Sequence, residues 1–550
     1  MGKAIGQPAN SGDRIAWYDA KIQEFDAEIA SALALWRKLS VVRGLTFLAA
    51  LALLISGIVT AAGIRNAWFV LSAIVFVVFL YIAVVHEGLE SALRKKKVWR
   101  RLYRWSRARL QRDWDKLRQI DVKFDPAYGA LVNDLDLFGR SSLFQLVGGV
   151  ETPLGIELFR DWLLIVPTAD EVNQRQAAIQ ELQQRPDFRD RLRFSCHLLS
   201  AGDGGPETLT KWCEAPVEYD RRGLLIWIAR ILAGITAFGV IGLLTGWIPI
   251  TIAGPGLLGM LAINFFMTVI FAGRIHAVFN QVSSRHHEVS HYDEVFRLIR
   301  GESLESPMLQ QLKQELFTEH GDVLEATRSL GLISWCANLR RHGVLFFIYL
   351  LLQFGFLWDF HVIRQLHRWK EEHGSHVRRW FEVLGQWEVL ASLSQFAEDH
   401  GEWVYPEMKN QPKATTTIVA KSLGHPLLHH ELRVDNDVQI GPCGSVLLVT
   451  GSNMSGKSTL LRAIGLNTVL AHLGAPVCAV SMNLSPMRIE TSMRIQDSLA
   501  DGVSFFMAEL RRLKQVVDIA RQYENRDDVT VLFLLDEILQ GTNSRERHIA

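Results

Sequence analysis

The chain has 550 residues, enough for three or four domains of about 150 each, and its 59 Lys+Arg against 58 Asp+Glu leave a net charge of +1, without the basic excess of a chain built wholly around nucleic acid. Its 49% hydrophobic content and mean hydropathy of +0.11 are high beside 21% charge, so the apolar residues must be concentrated, first of all in membrane spans. Cys196, Cys213, Cys336, Cys443 and Cys478 are odd in number and never in CxxC spacing, which argues against a disulfide framework or a cysteine zinc knuckle and fits a reducing compartment.

Residues 1–43 read as an N-terminal helix on the cytoplasmic side. Gly44–Ile64 carries 21 residues without charge, and after Arg65 the 20 residues Asn66–Val85 carry none. At 1.5 Å per residue each run matches a hydrocarbon layer of about 30 Å, so 44–85 is expected to be a transmembrane hairpin. Some 40 mostly polar residues precede it, unlike a signal peptide. Residues 86–130 are expected to be a basic juxtamembrane helix: ten Lys/Arg and no acid stand between Arg94 and Arg112, interleaved with Trp99, Tyr103 and Trp105. That pattern suits anionic headgroups, with an unspecific nucleic-acid patch as the other reading.

Residues 131–222 read as the first part of a helical core, and 223–273 as a second transmembrane hairpin. Ile231–Gly273 has 43 residues without a charge or histidine, breakable at Pro249 or at Gly254-Pro255-Gly256. Arg37, Lys38, Arg43, the Arg94–Arg101 cluster, Arg221, Arg222, Arg230 and Arg274 flank the hairpins, whereas the turns hold only Arg65. The positive-inside rule then places the N-terminus, 94–222 and everything after 274 in the cytoplasm, giving a multi-pass inner-membrane protein. Residues 274–412 read as the second part of the core. His287-Glu288-Val-Ser-His291 is an H-E-x-x-H, which on a helix aims two imidazoles from one face and makes a membrane zinc protease a rival reading. Its surroundings are polar and no third ligand stands out. A third apolar run, Gly343–Trp358, has only 16 residues; it is expected to be a buried core helix, since a crossing would put the C-terminal third outside the cell.

Residues 413–550 carry the strongest chemical signal. Val446–Thr450 reads as a buried strand running into Gly451-Ser452-Asn453-Met454-Ser455-Gly456-Lys457-Ser458-Thr459 and then a helix, Leu460–Leu470. This is a P-loop, G-x4-G-K-[ST], in strand–loop–helix order. Its backbone N–H groups and the helix N-terminus suit phosphates, Lys457 suits the β- and γ-phosphate oxygens of ATP, and Ser458 suits Mg²⁺. A second strand, Val531–Leu535, ends in Asp536-Glu537, 78 residues after Ser458. Asp536 is the expected second Mg²⁺ residue and Glu537 the expected general base.

Asn453-Met454 in the loop, Ser504-Phe-Phe-Met-Ala-Glu509 and Asp536–Thr542 together resemble the ATPase of MutS-type DNA mismatch-repair proteins. Gly139–Phe144, Thr152–Gly155, Trp162-Leu163, Pro167, Arg175-Gln176, Trp387–Leu393, Tyr405–Glu407 and Gly424–Leu427 extend the likeness over roughly 130–190 and 380–550. The resemblance implies an α/β P-loop (ABC-type) ATPase domain C-terminal to an all-α MutS-like core, here joined to two transmembrane helical hairpins. It implies a homodimer that sandwiches nucleotide, with Ser504 reaching the γ-phosphate bound by the other subunit, and His425 and Asn436 on the adenine side. Three departures stand beside it. Membrane hairpin and basic helix replace the mismatch-reading domain, the second hairpin interrupts the core, and the chain stops shortly after Asp536, so the ATPase domain is expected to be C-terminally incomplete. DNA binding without mismatch specificity is therefore one expected role, and driving a membrane process unrelated to DNA is the other.

Overall fold

The computed structural model describes residues 11–60, 64–200, 205–216, 224–282, 286–319, 321–341, 346–410, 412, 415, 417–452, 455–493, 505–524, 526 and 529–537. Helices α1 (Ser11–Val59) and α2 (Arg65–Leu110) form a long antiparallel pair. Their outer halves are apolar and exposed, with Leu45, Leu48, Ile58, Val70, Val77 and Val84 all facing outward, as lipid-facing helices do. Ser72 donates to the Ala50 carbonyl at 2.9 Å and fixes their register there.

The basic run of α2 does not stand alone. Arg107 pairs with Asp19 at 2.6 Å, Arg100 with Asp26 at 2.5 Å and Lys96 with Glu28 at 3.0 Å, all three acids lying on α1. Arg104 also reaches Asp26 at 3.3 Å and Arg109 is buried, while Arg94, Lys95, Lys97 and Arg101 stay exposed. The sequence shows a uniform basic helix; its acidic partners lie far upstream on α1, so only the outer face remains for headgroups.

The core follows as α3 (Gly129–Asp134), α4 (Leu143–Val147), α5 (Pro153–Leu164), α6 (Ala169–Gln183), α7 (Pro186–Ser200) and α8 (Gly205–Glu214). It resumes after the second hairpin with α11 (His286–Gly301), α12 (Pro307–Gln314) and α13 (Val323–Asn338), and after α14 (Phe346–Phe356) it ends in α15 (Trp358–Asp399). The C-terminal half of α15 is almost wholly buried, because apolar Trp387, Val389, Leu390, Leu393 and Phe396 are joined by buried polar groups that cap and brace its neighbours. Glu388 accepts the Glu151 and Thr152 N–H groups at 2.9 and 3.3 Å, as well as the Thr152 hydroxyl. Thr152 is itself the N-cap of α5, so one carboxylate closes the start of that helix.

The intervening hairpin is α9 (Leu224–Leu244) and α10 (Ile250–Val282). Thus, among the described residues, four helices are long and apolar enough to cross a membrane, at the places where the uncharged runs stand. The chain turns at Thr245–Pro249, and Pro255 lies inside α10, in its second turn, instead of breaking it. The third apolar run corrects expectation. α14 is not inside the soluble core; it packs against α9 and α10, with Ile348 exposed and Leu351 74% exposed. An apolar side chain meets lipid as readily as core, and length alone does not separate the two.

The C-terminal part contains β1 (Glu407–Met408), β2 (Ile418–Leu423), β3 (Asn436–Ile440), α16 (Lys457–His472), β4 (Ser481–Leu484), β5 (Met487–Ser492), α17 (Phe505–Gln522) and β6 (Thr530–Leu535). One sheet has the order β1-β4-β2-β3 and a second pairs β5 with β6 in parallel. The expected strand Val446–Thr450 is not formed: Val446 is 88% and Leu448 79% exposed. The segment faces β6 across a cavity of about 350 Å³ lined also by Leu461 and Ile464. Strand propensity is present, but a strand also requires a ladder partner.

Candidate nucleotide site

The loop that opens at Gly451 ends at Gly456, whose φ of +89° is costly for any side chain-bearing residue. A Cβ at Gly451 would meet the Ser455 hydroxyl at 2.6 Å, closer than a side chain there could sit without a shift. α16 then starts at Lys457, leaving its first N–H groups without helical partners. The Lys457 ammonium curls back to donate to the Gly451 and Ser452 carbonyls, both at 2.9 Å. The Ser458 hydroxyl donates to Asp536 at the end of β6, and Thr459 is exposed on the same first turn. Residues 78 positions apart thus meet at one point.

β6 reaches that point because it pairs with β5 along its full length, and the Asp536 N–H extends the ladder by donating to Ser492 O at 2.9 Å. Glu537 follows with φ +48°. A non-glycine residue held there stores roughly 1–3 kcal/mol of strain, of the kind that gathers at functional sites.

His425 lies just beyond β2, whose last residue, Leu423, pairs with Asn436. Asn467 of α16 holds this loop: its amide donates to Gly424 O at 2.9 Å and its carbonyl accepts the Cys478 N–H at 2.7 Å. The helix that begins at the Gly451–Gly456 loop therefore also positions His425. Burial, with Arg462 nearby, lowers the His425 pKa to about 4, so the imidazole is neutral, and its Nδ1 accepts the Leu427 N–H at 3.3 Å. Asn436 is exposed and donates to Val434 O at 3.2 Å.

Residues outside the nucleotide motifs join the parts. Arg112, one position beyond the C-cap of α2, donates to Pro426 O at 2.8 Å and contacts His400 Nε2 at 3.3 Å. Arg512 of α17 pairs with the buried Asp134 of α3, which also accepts the Met493 N–H at 3.1 Å. Arg175 stacks 3.9 Å over Trp162 and donates to His472 O at 3.0 Å, while Gln176 donates to Pro406 O at 2.9 Å. Asn453, Met454 and Ser504 lie outside the described residues. His287, Glu288 and His291 fall on α11, but their side chains are also outside them. Among the described residues, His429, His430 and Glu431 bring ligand-type atoms within 4.8 Å of one another on the surface.

Residues 447–549 match the family model described as MutS domain V. The chain carries a MutS-family domain. Domain V is that family's ATPase domain, and the match takes in the loop, α16, β5, β6, Asp536 and Glu537, while His425 and Asn436 precede it.

Around domain V, burial holds three histidines neutral: His425 and His400 at about 4 and His472 at about 3. These folded pKa values lie below the unfolded value near 6.5, so the unfolded state binds more protons from there down to about 3–4. Stability is complete above the unfolded value and falls with pH through that window, at about 1.4 kcal/mol per unit per group. Glu388, raised to about 7 mainly by burial, acts in the opposite sense between about 4.5 and 7, and Glu398, also raised by burial, acts with it against the three histidines. The unfolding midpoint of the detergent-solubilised protein is expected to fall between pH 6.5 and 4.5, and to fall less in His472→Gln. A midpoint loss identical in both proteins would remove His472 from the account.

Proposed function

We propose that the chain is a membrane-anchored MutS-like ATPase that binds ATP with Mg²⁺, hydrolyses it as a homodimer, and couples this to DNA held without mismatch specificity. The meeting of Ser458 with Asp536 beside the Lys457 loop carries the reading. Residues Gly451–Thr459 cradle the phosphates, Lys457 bridges the β- and γ-phosphate oxygens, and the dipole of α16 adds to both. His425 and Asn436 flank the adenine. Glu537 polarises the attacking water, and Ser504 reaches the γ-phosphate of the other subunit. The hydroxyl and carboxylate of Ser458 and Asp536 are hard oxygen donors suited to Mg²⁺. When bound, the ion neutralises charge building on the phosphate oxygens. The four apolar helices support an inner-membrane location, with domain V on the cytoplasmic side by the arginine and lysine flanks.

Lys457→Ala is expected to weaken ATP binding by about ten- to a hundredfold, the worth of a charge-assisted contact. Titration calorimetry on the solubilised chain checks it, and equal affinity would overturn the phosphate-loop assignment. A second reading, an ATPase that drives a membrane process without DNA, is favoured by the Arg112–Pro426 contact, which ties α2 to the loop that carries His425. Filter binding decides between them. DNA held by phosphate contacts alone shows steep salt dependence and no mismatch preference, whereas no binding at low salt supports the membrane process.

A further inference from the structure

α14 has 11 residues, so it reaches only about 16 Å, half of a hydrocarbon layer of about 30 Å. It runs antiparallel along α10. Near its end the Asn264 amide donates to Phe354 O at 2.6 Å, and Gln353 donates to the Thr268 hydroxyl at 3.0 Å. Leu357, in the left-handed region at φ 53°, reverses the chain. α15 then returns alongside, with Phe360 packed on Phe271 at 5.7 Å between ring centres. The Tyr349 hydroxyl donates to Asp359 Oδ2 at 2.9 Å, and the Asp359 N–H donates to Gln353 at 2.9 Å. If α10 crosses a bilayer, α14 and the start of α15 enter it part-way and come back.

At the mouth of this turn lies a cavity of about 390 Å³ lined by Thr268, Ala272, Arg340, Phe346, Tyr349 and Asp359, within the size range of small-ligand sites. Thr268 sits five residues before Gly273, where the uncharged part of α10 ends, so the cavity lies roughly 8 Å or less inside that boundary, at headgroup and glycerol depth. Its two charges are of opposite sign. Asp359 is only 4% exposed, and its Oδ1 has no hydrogen-bond partner. A buried carboxylate oxygen left bare is costly and marks a missing donor. The Arg340 guanidinium lies 4.9 Å from the centre of the Phe279 ring. Deeper along the same helices, Phe266 and Leu351 stand exposed.

We propose that this cavity binds the headgroup of an aminophospholipid, with the phosphodiester on Arg340, the primary ammonium on Asp359 Oδ1, and the acyl chains along α10 and α14. A simple anion would face the carboxylate and leave Oδ1 bare. A simple cation would face the guanidinium. A trimethylammonium headgroup has both charges but no N–H to donate. The assignment rests on the membrane reading above and is independent of the nucleotide chemistry.

Native mass spectrometry of the full chain in detergent tests it, using phosphatidylethanolamine and phosphatidylcholine with identical acyl chains. The wild type is expected to retain the ethanolamine lipid about tenfold better or more, the worth of a hydrogen bond to a charged group. Asp359→Asn is expected to erase that preference with ATP binding unchanged, and Arg340→Gln to lower retention of both lipids. Equal retention by the wild type, which needs no variant, would overturn the site, as would a preference that survives Asp359→Asn. Displacement of the lipid by an equal concentration of free glycerophosphoethanolamine would overturn the lipid assignment in favour of a soluble phosphoamine. Lipid indifference in a chain that resists carbonate extraction counts against this cavity alone; a chain released by carbonate counts against the membrane reading itself.

Discussion

Glu537→Gln is expected to lower ATP turnover by about two to four orders of magnitude while ATP stays bound, because the substitution removes a general base and little else. Glu537 follows the last residue of β6 and its ladder contact, in a backbone conformation that few side chain-bearing residues adopt. Glutamine has the same shape and meets the same backbone demand, so the change isolates the carboxylate. Phosphate release and nucleotide retention, measured on one preparation, check the two halves of the expectation. Turnover at the wild-type rate would take the base role away from Glu537.

Arg14→Ala is expected to cost about 3–5 kcal/mol of stability, the usual result of leaving buried charges without their partner. Arg14 of α1 pairs with Glu398 at 2.9 Å and Asp399 at 3.0 Å at the end of α15. Tyr18 donates to Asp399 at 2.7 Å, and Arg189 of α7 reaches Glu398 at 2.5 Å. All of these groups are buried, so no water is at hand to replace the lost guanidinium. Denaturant unfolding of the solubilised chain, followed by tryptophan fluorescence, measures the loss. A midpoint within error of the wild type would mean that α1 docks through its apolar contacts alone.

What the sequence made legible was local. The helix after the phosphate loop and the strand ending in Asp536 are both read from apolar pattern, and both are present. Val446–Thr450 has the same aliphatic composition and forms no strand, since its pairing depends on a neighbour far along the chain. The basic run of α2 had its answering acids at Asp19, Asp26 and Glu28, across a turn and two apolar halves. Asn467, Arg112 and Asp134 bear no motif: each is a single polar residue, and only the packed chain reveals what it holds. The run at 343–358 yields the 11-residue α14 outside the core, and nothing in its composition distinguishes a core helix from one packed on α9 and α10.

α2 is one uninterrupted helix of 46 residues, a rod about 70 Å long. Its lower end is clamped to α1 by ion pairs and ends at the arginine that touches Pro426. Long helices answer a change in bilayer thickness by tilting. A rod of this length pivoting about its middle by about 5° carries its tip about 3 Å, the length of one hydrogen bond. A tilt imposed by the bilayer would therefore press Arg112 against the Pro426 carbonyl and the loop that carries His425, with a single stiff helix as the link.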